Sequence, residues 1–263
     1  MNTIKLALLN IKKNLKNEKE LKSSFIISVI GMIINNSSFV VLWYFFGKTV
    51  GELNGWSAMD IFGLYAFSTL SFGLVSAFFH GIIDIPRHIT TGNLDKFLLT
   101  PKNVLTKVAT SSVSTSAIGD ILFGLICFVI FAISEDFTIA QLLLSALLLI
   151  CSTIIFFSVT LMCMSVSFYL MDGHNVSDAL YGTFLSNSLY HGGAYTGILK
   201  VIFTYIMPAL LLGALPVEIS KSLNLGDIVF IVISSLFWLF ISIKFFYLSL
   251  KKYESNNFFG FGG

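Results

Sequence analysis

Apolar residues gather along this chain in runs too long for the helices of a soluble core. Crossing the hydrocarbon layer of a membrane takes roughly 20 apolar residues. Six runs reach that length, at approximately 25–47, 57–83, 111–133, 141–170, 197–216 and 227–250. They predict an all-α polytopic membrane protein with six transmembrane helices. Ahead of the fifth run, residues 179–195 are moderately apolar but broken by Gly182, Gly192 and Gly193. This piece reads as an interfacial or cytoplasmic helix leading into the fifth span, with a re-entrant segment as the alternative. Pro216 and Gly226 interrupt the stretch between the fifth and sixth runs. A half-helix excursion is therefore expected around 212–225, with Glu218 and Lys221 near the outer interface.

The pattern changes at both ends. In residues 1–24, Ile4, Leu8, Ile11 and Leu15 recur at spacings of four and three, with Lys on the other faces. Such a helix lies in the interface and meets anionic lipid; equally, it could pack beside the 84–109 loop and help receive a partner. Six Lys precede Ser23, which resembles a signal peptide, but the apolar run that follows is longer than a signal core and has no small-residue cleavage site. A retained first span is expected. The organisation is thus an interfacial helix over 1–24, a six-span domain over 25–250 and a cytoplasmic tail over 251–263. There are no internal repeats and there is no soluble domain.

Charge orients the spans. The loops on one side hold Lys5, Lys12, Lys13, Lys16, Lys19, Lys22, Arg87, Lys96, Lys102, Lys107, Lys251 and Lys252, against only Lys48 and Lys221 on the other. Twelve against two places both termini and the 84–109 loop in the cytoplasm by the positive-inside rule. Lys200 and Lys244 fall near cytoplasmic span ends in this scheme. Only 11% of residues are charged and the mean hydropathy is +0.86, too little charge to coat a water-facing domain, where about 25% is usual. The net charge of +2 carries no nucleic-acid signal, because the basic residues sit at span ends. Cys127, Cys151 and Cys163 lie in apolar runs without CxxC spacing and read as small buried residues.

Catalytic chemistry is missing. His80, His88, His174 and His191 are scattered and lack the HExxH spacing of a helical zinc site. Gly47-Lys48-Thr49 looks like the end of a phosphate-binding loop, but Leu42 stands where that loop needs Gly. Energy must come from a partner or a gradient. Within the spans, Asp60 falls near the outer end of the second, where water is expected to reach it. Asp120 lies a third to half way into the third. Asn35-Asn36-Ser37-Ser38 interrupts the first span, and Asn35 lies ~15 Å along a helix from Phe25, close to the bilayer midplane. Two readings stand for Asn35, Asn36 and Asp120: hydrogen bonding between helices, or the lining of a substrate path.

The loop from 84 to 101 is the most distinctive stretch. It is charged, holds Pro86, Gly92 and Pro101, and yet keeps Leu94, Phe97 and Leu98 at helical spacing. An ordinary solvated loop has no use for that stripe. The form Pro86-Arg87 followed by Gly92-Asn93-Leu94-Asp95-x-Phe97-Leu98-Leu99-x-Pro101 resembles the cytoplasmic segment after the second span in type-two ABC transporter permeases, in particular the bacterial six-span export permeases. Gly55-Trp56 before the second span, Pro208 in the fifth and Pro216 beyond it agree with that likeness. The motif covers 85–101; span count and loop order extend the likeness over nearly the whole chain.

The resemblance implies a membrane permease subunit in the bacterial plasma membrane that exports a substrate. Two such chains, identical or related, would pair with two ATP-binding subunits; ATP and Mg would be held by the ATPase partner and no cofactor by this chain. Residues 84–91 would form a coupling helix seated on the ATPase, ended by Gly92. The apolar stripe Leu94, Phe97 and Leu98 would contact it, Asp84, Arg87, Asp95 and Lys96 would match charge, and Pro101 would stop the segment. The family's region between the last two spans is re-entrant from outside. Residues 171–196 depart from the family pattern in having no Lys or Arg. An ion-coupled carrier or importer subunit, and an immunity-type protein that binds a toxin, are the alternatives.

Overall fold

The computed structural model describes residues 22–99, 103–170 and 172–253. The expected interfacial helix therefore lies outside the described residues up to position 21, as do Pro101 and the tail from 254 onward. Among the described residues the structure is helical, with one isolated extended bridge between Leu53 and Trp56.

Among the described residues, five helical stretches are long and apolar enough to cross a membrane. These contain α1 (Lys22–Val50), α2 (Asp60–Phe79), α6 (Ala117–Ser134), α7 (Ile139–Ser165) and α11 (Leu225–Leu250). Short helices α3 (Ile85–Thr90), α4 (Asp95–Leu98) and α5 (Val104–Ala109) fill the loop after α2. Next in chain order come α8 (Gly173–Ser188), α9 (Gly197–Val201) and α10 (Ala214–Ser222). At the centre, α2 packs on α6 and α7, α11 lies along α7, and α1 lies along α6. Most of α2 is buried, whereas α1 and α11 expose Ile30, Ile34, Phe45, Ile233, Leu236 and Phe240. An apolar surface of this kind would be costly in water and is at home in lipid.

The chain between α7 and α11 differs from the sequence reading. Residues 197–216 do not form one span. α9 runs into a π-helical turn at Ile202–Ile206, the helix ends at Met207, and α10 begins only at Ala214. Pro208 has no N–H to continue a ladder, and Ala209–Leu212 are buried inside the protein. Apolarity here reflects packing against neighbouring helices. Pro216 does not break α10 either, because it falls in the first turn, where no intrahelical N–H bond is lost.

The piece read as an interfacial or cytoplasmic helix is instead α8, which joins the two ends of the bundle. At its start, Gly173 abuts Ser167 beside α3; beyond its end, Gly192 and Gly193 abut Trp56 and Leu53 at the opposite end. Sixteen residues reach ~24 Å at the α-helical rise. The excursion is also longer than 212–225. It leaves the Trp56 end at Gly197, puts Ile206–Pro208 beside Met162, Cys163 and Trp238, and returns through α10 until Lys221 meets Asp60. Lys200, expected at the other end, lines a cavity with Glu218 and Asp227.

Candidate functional site

Three polar constructions stand out, one at each end of the bundle and one in the middle.

At the loop end, α3 starts after Asp84 with Pro86 in its first turn and ends at Thr91, whose Oγ1 donates to the Arg87 carbonyl at 2.7 Å. Gly92 follows with φ +66°, a left-handed conformation that glycine takes without strain. Asp84 is held from two sides, by Arg87 Nη2 at 3.4 Å and by Ser112 Oγ, which donates at 2.6 Å. Leu94 is 0% exposed and packs in a cluster with Ile82, Ile85, Val108, Leu161 and Phe246. It anchors the loop and is not available to a partner, so the expected apolar stripe divides. Phe97 is half-buried with its ring against His88, and Leu98 and Leu99 are 40% and 83% exposed. Lys107, itself buried, donates from Nζ to the Phe97 carbonyl, and Lys96 Nζ donates to Asn93 at 2.6 Å. Asp95 is half-buried at the first turn of α4. The loop is thus tied to the bundle at Asp84, Leu94 and Phe97, and turns Arg87, Lys96, Leu98 and Leu99 outward.

Gly81 brings the end of the second span close to α5. A Cβ there would run into the Val108 carbonyl oxygen. The spacing fits only glycine.

In the middle of the bundle the structure brings together two of the residues that sequence singled out. Asn36 Nδ2 donates to Asp120 Oδ1 at 2.8 Å, joining α1 to α6, and Asp120 Oδ2 has no hydrogen-bond partner. This is hydrogen bonding between helices, the first of the two readings for these residues. Both residues line a cavity of about 200 Å³ with Asn35, Ser68, Thr69 and Ser188. Asn35 is exposed at its edge.

At the far end, Asp60 is 1% exposed, not water-washed as its sequence position suggests. Lys221 Nζ donates to both its oxygens at 2.7 and 3.0 Å, and the Ser57 N–H donates to Oδ2 at 2.7 Å. Glu135 lies 3.8 Å from the same ammonium; burial raises its pKa, while Lys221 pulls it back down. Trp56 Nε1 donates to Glu218 Oε1 at 3.1 Å, Asn54 Nδ2 donates to the Gly193 carbonyl at 2.8 Å, and the His191 ring lies 5.2 Å from Trp56. Burial lowers the His191 pKa, disfavouring the charged ring. Sequence reading placed Glu218 and Lys221 near this interface but missed their hydrogen-bond partners Trp56 and Asp60, which lie more than 160 positions away.

The exposed face of α8 also escaped sequence reading. Asn175, Ala179, Thr183, Ser186 and Tyr190 recur at spacings of four and three and are all exposed, with Gly182 beside them. Among the described residues, no other long helix presents so polar an outward face. The signal was available as polar residues at helical period, but low hydropathy hid the helix that carries it.

The sequence model of the family described as ABC-2 family transporter protein matches residues 26–257. Comparison with curated proteins and with solved structures gives no match.

Proposed function

This chain belongs to the ABC-2 family of transporter proteins, and from that premise we propose that it is the membrane-spanning subunit of an ATP-driven exporter, energised through the 84–99 loop by a separate ATP-binding subunit. The observation that carries the coupling role is the construction of that loop. A face of Arg87, Lys96, Leu98 and Leu99 is turned away from the bundle, on a backbone fixed by Leu94, Lys107 and Ser112. A push on this face would reach α7 and α8 with little slack, because α3 packs on the end of α7 and the start of α8. Apolar contact would supply affinity and the charges would set register. ATP and Mg would belong to the partner.

In this reading the basic loop end faces the bacterial cytoplasm. The chain crosses six times, with α8 as the fifth crossing, and residues 197–222 dip in from outside and return. The polar face of α8 supports pairing. Asn175, Thr183 and Ser186 on a membrane-crossing helix would be poorly placed against lipid, and a second permease copy, identical or related, would cover them and share a path between the two. Replacing Leu98 and Leu99 with Asp tests the coupling. ATP-dependent export should fall at least tenfold with membrane insertion intact, and unchanged export would refute the role.

A further inference from the structure

The central cavity is an incomplete site. Asp120 is 3% exposed, and one of its oxygens is satisfied by Asn36 while the other has no partner. A carboxylate in such surroundings is costly to leave half-bonded, and a protonated carboxyl would equally lack an acceptor at Oδ2. Amide and hydroxyl groups converge on the same space from Asn35, Asn36, Ser68, Thr69 and Ser188, drawn from three different helices. The remaining wall is apolar, formed by Met32, Phe72, Leu185, Leu189 and Leu212.

We propose that this cavity binds the ammonium head of an amphiphilic amine, with Asp120 as its counter-charge. An ammonium offers three donors and no acceptor. That complement matches the free Asp120 oxygen and the side-chain oxygens of Asn35, Asn36 and the surrounding hydroxyls. A bare inorganic cation would need oxygen ligands on all sides, whereas here a single carboxylate shares the wall with five apolar side chains. Among the described residues, no group of three or more His, Cys, Asp or Glu is placed to hold a metal ion. About 200 Å³ takes the head and first methylenes of an alkylamine. The rest of the chain would leave beside Asn35, which lines the cavity and is exposed. Naming the amine as cargo rests on the exporter reading; the binding itself does not.

The test measures equilibrium binding of radiolabelled dodecylamine to the full-length chain alone, in nanodiscs of zwitterionic lipid. Dodecanol serves as the neutral competitor, and sodium chloride is compared with choline chloride at constant ionic strength. Saturable binding at one site per chain is expected, undisturbed by dodecanol or sodium. Asp120→Asn should weaken it at least tenfold. Asn35→Phe, which closes the edge without touching the buried pair, should do the same and keeps the test valid if Asp120→Asn fails to fold. Binding that does not saturate, survives both variants, or yields equally to dodecanol overturns the proposal. Displacement by sodium but not choline assigns the cavity to an inorganic ion and also overturns it. No ATP-binding subunit is present, so a failure here leaves the exporter reading standing, and amine binding would survive a failure of that reading.

Discussion

Asp60 and Lys221, 161 positions apart, meet through two hydrogen bonds of 2.7 and 3.0 Å and so fasten the return of the 197–222 excursion to the head of the second span. The carboxylate is buried and the ammonium is 30% exposed, so the cost of separating them falls on Asp60. Breaking a buried pair by removing one partner typically costs about 3–5 kcal/mol. Lys221→Met should lower the thermal midpoint of the detergent-solubilised protein markedly, and adding Asp60→Asn to it should restore much of the loss. A double variant no more stable than Lys221→Met alone would argue against the pair as the fastening.

His191 gives this end a dependence on acid. Burial lowers its pKa below the usual 6.5, with Asp60 acting in the opposite direction. The unfolded chain therefore binds more protons here than the folded one, and stability should fall as pH drops below about 6.5. Glu135, whose pKa is raised by burial, contributes with the opposite sign, losing stability as pH rises past its usual value. His191→Gln should flatten the fall in thermal midpoint between neutral and mildly acidic buffer. An unchanged slope would mean that another group governs it.

Gly81 predicts an intolerant position. A methyl group would collide with the Val108 carbonyl, and backbone cannot rotate away as a side chain can. Gly81→Ala should cost at least about 1–3 kcal/mol, the usual range for overpacking, and should detach α5 from the end of α2. Native-like stability of that variant would show that the two segments separate more easily than their spacing implies.

The α8 face makes a prediction about pairing. Single cysteines at Thr183 or Ser186, both exposed, should form oxidative crosslinks between copies in native membranes, or with a related permease. The three native cysteines are buried and unpaired and should contribute little background. A cysteine at Ile233, on the apolar outward face of α11, should not crosslink. Equal yields at the two faces would remove the special role of α8.

Sequence made the five apolar helices legible because lipid-facing and protein-facing sides are both apolar there. The same rule failed twice where tertiary context took over. α8 carries Asn, Thr and Ser outward and fell below any hydropathy threshold, while Ala209–Leu212 are apolar because they are buried in the bundle. Asn36 and Asp120 were each conspicuous as polar residues inside apolar runs, but nothing in the sequence joins positions 84 apart. In the 84–99 loop the period of Leu94 and Leu98 was readable. Which of them faces the bundle was not, since that depends on Ile82, Leu161 and Phe246 arriving from three other segments.

The proposed role for the outward face of the 84–99 loop is to receive an ATP-binding subunit. Leu99 is the place to ask, being 83% exposed, with buried Leu94 as the internal control. A photoreactive residue at position 99, activated in native membranes and analysed by mass spectrometry, should capture an ABC ATPase, and the same residue at 94 should capture only this chain. Capture of this chain or lipid alone at 99, with no ATPase, would rule out that role for the loop.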